Sequence, residues 1–352
     1  MPIRNEVSFI ESSLKSVLSQ DYPQDRMEIL VVDGMSTDGT RHLVENVIKC
    51  QYRNNVERQA DTHSTSLMLL DNPERIVPTA LNIGLKHAKG EIIVRVDGHC
   101  EIAPNYVRQC VEFIQRKNAD CVGGLQRAKS MGLIGNAIAL ATSSPFGVGN
   151  ALFHYSKDSG WVDTVYLGAY KRQVFAKIGL FDEELIRNQD DEFNFRLRQS
   201  NGRIWLDHSI RSIYYTRANF SSLCRQYFQY GMFKIRVIQK REAVPSLRHL
   251  IPGAFVFSIV LTSLLALITR QTIWIFTVLG PYMLVTISAS IWTARKHPNI
   301  MPILPLVFFC LHVSYGIGFF AGIWKWRRQF FDLHLIKKVL KIHIPKGGSG
   351  MI

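Results

Sequence analysis

The sequence predicts an α/β domain with a mostly parallel sheet and flanking helices, followed by an all-α membrane region. Three observations predict it. Short apolar runs alternate with helix-spaced segments over the first two thirds of the chain. Two of those runs end in an aspartate, Asp33 and Asp97. Three long apolar runs then occupy the last third. With 352 residues, 47% hydrophobic and 20% charged, the chain has ample material for a core and is not a disordered polymer. Its six cysteines, Cys50, Cys100, Cys110, Cys121, Cys224 and Cys310, form no CxxC pair. They read as reduced, mostly buried thiols facing a reducing compartment.

The elements follow in order. Residues 12–20 space Leu14, Val17 and Leu18 as one helical face, and 28–32 (EILVV) form an apolar strand running into Asp33. Residues 36–48 place Leu43, Val44 and Val47 on a helix face. Helix 78–88, strand 90–96 running into Asp97, helix 105–116 and strand 121–125 complete the alternation. Buried parallel strands read as continuous apolar runs, and ligands gather at their carboxyl ends. Two strand-end acids therefore suit a nucleotide or metal site, with loop or helix-capping aspartates as the plainer alternative.

Charge divides the chain at about residue 216. Residues 1–216 are nearly neutral, whereas 217–352 hold 17 Lys+Arg against only Glu242 and Asp332. Nucleic-acid binders carry such charge on the folded domain, interleaved with aromatics; here it flanks apolar runs, which suits anionic lipid. No nucleic-acid partner is expected. Runs 250–268, 272–294 and 300–324 each approach the ~20 residues needed to cross a bilayer. Trp324 and Trp326 suit an interfacial belt, and 327–344 reads as a basic amphipathic stretch lying on the membrane. No signal peptide precedes residue 1, so the first two thirds are expected in the cytoplasm at the cell membrane. Three crossings would then put the basic tail outside, against the positive-inside rule. The expected number of spans is two or three. The expected division is 1–216, an amphipathic interfacial segment 217–249, spans within 250–324, and the tail 325–352.

Five motifs in order resemble one family. They are Pro2-Ile3-Arg4-Asn5-Glu6; Ser16 to Pro23 (SVLSQDYP); Val31 to Thr40 (VVDGMSTDGT); Ala80-Leu81-Asn82-Ile83-Gly84 with Ala88-Lys89-Gly90-Glu91; and Asp97-Gly98-His99, followed by Asn188-Gln189-Asp190-Asp191-Glu192-Phe193. Over about residues 2–235 the chain resembles family 2 glycosyltransferases of GT-A fold. The membrane tail adds a likeness to the succinoglycan-type, ExoA-like members that build exopolysaccharide on a lipid carrier. The resemblance implies a nucleotide-diphosphate sugar donor, a UDP-sugar first, and a polyprenyl-diphosphate-linked saccharide acceptor. It implies donor contacts from Pro2, Asn5, Glu6, Asp33, Arg75, Asn82 and Asp97.

The chemistry agrees with the residue types. A departing diphosphate needs its charge neutralised, and a divalent ion does so as Lewis acid and template. Asp97 is a hard oxygen ligand for Mn or Mg, and His99 completes the pair, imidazole suiting Mn better. Inverting transfer needs a base for the acceptor hydroxyl. Asp190 is the first choice by its place in the motif and Asp191 the second. Their crowding with Glu192 should raise at least one pKa. Gly168, Tyr170, Glu192 and Gln226 are the expected acceptor contacts. Gln226 lacks the Arg-Trp that completes the QxxRW signature of long-chain synthases, so addition of one sugar is expected.

One departure stands out. The family has an apolar strand before its Pro-x-x-Asn-Glu loop, and here that loop begins at Pro2. The strand is expected to be missing, leaving an unpaired apolar sheet edge. Two other functions stay open on the sequence: a polyprenyl-phosphate sugar transferase, and a non-catalytic sugar-nucleotide-binding membrane protein.

Overall fold

The computed structural model describes residues 1–57 and 65–330. It divides into two units, Met1–Ala218 and a second beginning at Asn219.

In the first unit, β1 (Pro2–Ile3), β2 (Glu28–Asp33) and β3 (Ser66–Asp71) form a parallel sheet in that order. A second sheet runs β4 (Ile92–Val94), β8 (Tyr166–Lys171), β6 (Cys121–Lys129), β9 (Ile204–Tyr215), β5 (Cys100–Ile102), with β7 (Gly160–Trp161) also on β9. Only β6 and β9 are parallel there; its other pairings are antiparallel. The architecture is thus mixed rather than mostly parallel. Position one of the first sheet is not empty: Pro2 and Ile3 pair with Val32 and Asp33. Met1 extends that edge, its amino group donating to the Leu30 carbonyl at 2.7 Å, and residues 28–33 of β2 pair along their length with β3.

Helices α1 (Ile10–Leu18), α3 (Val77–His87) and α4 (Tyr106–Arg116) match the periodic segments within two residues, whereas α2 (Thr40–Glu57) starts four residues later and ends nine residues later than the expected 36–48. Pro78 stands in the first turn of α3, where its missing N–H costs nothing. α5 (Gly132–Ala141), α6 (Pro145–Val148), α7 (Arg172–Ile178) and α8 (Gln189–Gln199) follow. Ile3, Val31, Val96, Tyr106, Val122, Leu167 and Ala169 form the main core beneath the strand ends. A second cluster, Tyr170, Phe175, Phe181, Phe193 and Leu197, fixes α8 to the sheet. α8 starts at Gln189, directly after left-handed Asn188. Its three acids therefore occupy the first turn, where the helix dipole favours them.

The second unit holds α9 (Phe220–Arg241), α10 (Ile251–Thr269), α11 (Ile273–Thr293) and α12 (Leu304–Lys325). Three helices, Leu247–Thr269, Ile273–Thr293 and Met301–Lys325, are long and apolar enough to cross a membrane. α9 is less of a surface helix than its basic residues suggest. Phe233, Ile235, Val237 and Ile238 are buried, and a Cβ on Gly231 or Gly318 would stand 2.0 Å from a carbonyl oxygen of the opposite helix. Glycine lets the backbones of α9 and α12 touch. Most of the basic stretch expected over 327–344 lies outside the described residues.

Candidate active site

The site is built from loops that leave the strand ends. After β1 the chain enters a tight loop with Asn5 in the left-handed region, φ 54°. Asn5 Oδ1 accepts from Thr37 N–H at 2.9 Å, and Asn5 N–H donates to Ser36 Oγ at 3.0 Å. Glu6 N–H donates to Thr40 Oγ1, and Val7 N–H to Asp38. The loops after β1 and β2 are thereby joined side by side. Asp33 lies beneath them, fully buried, accepting from Ser36 Oγ at 2.5 Å and from Arg41 at 3.4 Å. Exposed Arg75, φ 61°, adjoins the group, its carbonyl accepting from Arg4 Nη1. So Pro2, Asn5, Glu6, Asp33 and Arg75, all predicted for the donor, do assemble at one edge.

Asp97 follows β4 and is nearly buried. Arg95 grips it through two parallel hydrogen bonds, Nε–Oδ1 2.7 Å and Nη2–Oδ2 3.0 Å. Burial opposes charge on Asp97, but the Arg95 guanidinium more than compensates and holds its carboxyl below the usual range. Gly98 is required next: a Cβ there would stand 2.9 Å from the Ile3 side chain. The close approach brings His99 Nδ1 within 2.9 Å of Glu6 Oε1. The carboxylate accepts, so Nδ1 carries the proton and Nε2 is left as the basic nitrogen. Glu6 thus orients a histidine.

The Asp97, His99 and Cys100 ligand atoms lie within 4.8 Å of one another. Cys100 is a poor third ligand for a hard cation. Its buried thiol contacts Tyr166 Oη at 2.6 Å, and burial raises its pKa well above normal. A carboxylate beside an imidazole whose other nitrogen is held by a second carboxylate is a donor set that fits a divalent ion.

Asp190 completes the site from the first turn of α8. Its Oδ2 lies 4.0 Å from Arg95 Nη1, and 38% of its side chain is exposed. Desolvation on its inner side raises its pKa, Arg95 opposes that rise, and neighbouring Asp191 adds to it. Arg95 therefore sits between two carboxylates of opposite tendency. Arg95, which joins the two acids, is the residue that motif reading missed, although a charge inside the apolar run IIVRV was its signal.

Several expected contacts lie elsewhere. Glu192 is fully buried, and both its oxygens accept from Arg196; it braces α8 and does not face an acceptor. Tyr170 is buried with its hydroxyl donating to Asn194 at 2.9 Å. Gly168 is buried under the Tyr170 ring, which a Cβ would meet at 2.7 Å. Both are core residues, because β8 is an interior strand. Asn82 is buried on α3 and exchanges two hydrogen bonds with the Phe181 backbone while donating to Glu183. It ties α3 to the loop before α8 rather than lining a donor. Gln226 belongs to α9 in the second unit and donates to Tyr230.

Comparison with known proteins bears on this geometry. The family model "Glycosyl transferase family 2" matches residues 1–179. The chain is 26% identical over 333 residues to the succinoglycan biosynthesis protein ExoA of Rhizobium meliloti (strain 1021), covering 94% of this chain and 95% of that protein. It is 29% identical over 339 residues to a dolichyl N-acetyl-alpha-D-glucosaminyl phosphate 3-beta-D-2,3-diacetamido-2,3-dideoxy-beta-D-glucuronosyltransferase of Methanococcus voltae, covering 94% and 98%. Among solved structures, the mannosyltransferase PcManGT from Pyrobaculum calidifontis, in complex with GDP-Man and Mn2+, superposes with a TM-score of 0.57 at 17% identity. That match covers 92% of this chain and 86% of the other, and it shows the shared GT-A fold. With half of the chain matched by the family model and two relatives aligned nearly end to end, this chain belongs to glycosyl transferase family 2 and is a glycosyltransferase.

Proposed function

We propose that the protein is a membrane-bound inverting glycosyltransferase that moves one sugar from a nucleotide-diphosphate sugar, a UDP-sugar first, to a lipid-linked saccharide on the cytoplasmic side of the cell membrane. The observation that carries this reading is Arg95 held between Asp97 and Asp190. It sets a strand-end acid suited to a diphosphate site beside a half-exposed acid suited to proton removal.

In this reading the joined loops around Asn5, Asp33 and Arg75 receive the nucleoside. Asp97 and His99 would hold a divalent ion, Mn or Mg, which supplies charge neutralisation at the diphosphate. Asp190 accepts the proton of the acceptor hydroxyl as that oxygen attacks the anomeric carbon from the face opposite the departing diphosphate. Asp191 adjoins it in the same helical turn and keeps its pKa raised. A lipid-linked acceptor is supported by the apolar helices of the second unit and by the dolichyl sugar phosphate in the name of the Methanococcus relative.

The test is a donor screen on membranes carrying the full chain, scoring lipid-extractable product and its anomeric configuration. The reading expects transfer with inversion to a saccharide hydroxyl. A sugar delivered to a bare polyprenyl phosphate would favour the lipid-phosphate transferase instead. Retention of configuration would overturn the role of Asp190.

A further inference from the structure

We propose that the start of α5 is a lipid-contacting tip, through which the catalytic unit itself rests on an anionic bilayer surface. Met131, Leu133 and Ile134 are 85%, 49% and 37% exposed. They stand together at the helix start, while Ala137, Ile138 and Ala141 further along α5 are buried. The fold thus spends one part of this apolar helix on its core and leaves the other in the open. Contiguous exposed apolar side chains mark interaction sites.

Three exposed cations surround the tip. Arg127 and Lys129 end β6, and Arg217 closely follows β9. The two strands run parallel with Lys129 beside Tyr215, and Thr216 N–H donates to the Lys129 carbonyl at 2.9 Å. That register gathers the three cations at one end of the sheet. Among the described residues none of them is in an ion pair; Lys129 Nζ lies over the Tyr215 ring at 5.7 Å. Glu101, on adjoining β5, accepts from the Tyr215 hydroxyl at 2.7 Å. Apolar side chains ringed by Lys and Arg match the two layers of a membrane interface, acyl chains within and anionic headgroups around.

The position argues for lipid over a soluble partner. A Cβ on Gly135 of α5 would lie 3.6 Å from the Cα of Ala218, the last residue of the first unit. The segment that follows Ala218 in sequence carries the three membrane-length helices.

A solvatochromic amino acid placed at position 133 of the full chain tests the proposal, with position 173 on α7 as exposed control. The protein is reconstituted in phosphatidylcholine vesicles containing one third phosphatidylglycerol. Emission at 133 should shift to the blue and lose intensity to brominated acyl chains, while 173 stays water-like. The triple change R127E/K129E/R217E should reverse both effects, with an unchanged thermal melt showing that the unit is folded. Water-like, unquenched emission at 133 would overturn the proposal. So would a blue shift without quenching by brominated lipid, since a protein surface, such as a second copy of this chain, would then cover the tip. Neither readout uses sugar transfer, so the result stands apart from the assignment of the reaction.

Discussion

At the scale of single residues the site turns on Arg95. In the proposed role of base Asp190 must be ionised, and its pKa is raised. Its active form is therefore lost, as pH falls, sooner than for an ordinary carboxylate. Arg95 limits that rise. In Arg95→Met the acid limb of the kcat/KM profile should move toward neutral pH, whereas Arg95→Lys should keep it near the parent position. Asp190→Asn should reduce kcat by about 100-fold or more, the smallest loss expected for a general base, with nucleotide-sugar affinity nearly unchanged by calorimetry. Asp97→Asn should do the reverse, abolishing the metal-dependent part of nucleotide-diphosphate binding. Equal metal dependence in variant and parent would show that the diphosphate is neutralised elsewhere.

At the scale of elements, the sequence revealed the acids more readily than the groups that hold them. Asp33, Asp97 and Asp190 were legible because each follows a recognisable run or motif. Gly168, Tyr170 and Glu192 misled because motif position says nothing about the face a side chain occupies. β8 is interior, and Glu192 is one residue too far around α8 to share the face of Asp191. The antiparallel strands were harder still, since long-range register decides them and no local period announces it. The buried Glu192–Arg196 pair yields a direct check. Glu192→Ala should destabilise the first unit by about 3–5 kcal/mol, because the charge of Arg196 then stays largely buried without its partner. An acceptor contact would instead raise the acceptor KM with no change in thermal unfolding.

For the whole molecule, composition marks a change of charge near residue 216, and hydropathy marks the three apolar helices. Neither could show that α9 packs closely on α12, because the fit depends on Gly231 and Gly318 meeting backbone across a distance of some 80 residues in sequence. That seam changes what removal of residues 246–352 should do. On charge alone the remaining 217–245 segment would bind anionic membranes reversibly and release them in salt. With α12 gone, Phe233, Ile235, Val237 and Ile238 lose their cover, so the shortened protein should stay in the membrane pellet at high salt or aggregate. Release at high salt would mean that α9 shields those side chains without α12.

The same seam sets where a protein chemist can cut. A cleavage or stop codon placed after α9 would preserve the whole apparent catalytic segment and still yield an insoluble product, since half of a helix–helix joint would face water. A stop after Ala218 removes the joint intact. Only that shorter piece offers a prospect of donor-binding studies in plain buffer, and Met131, Leu133 and Ile134 are then the next side chains to exchange for polar ones.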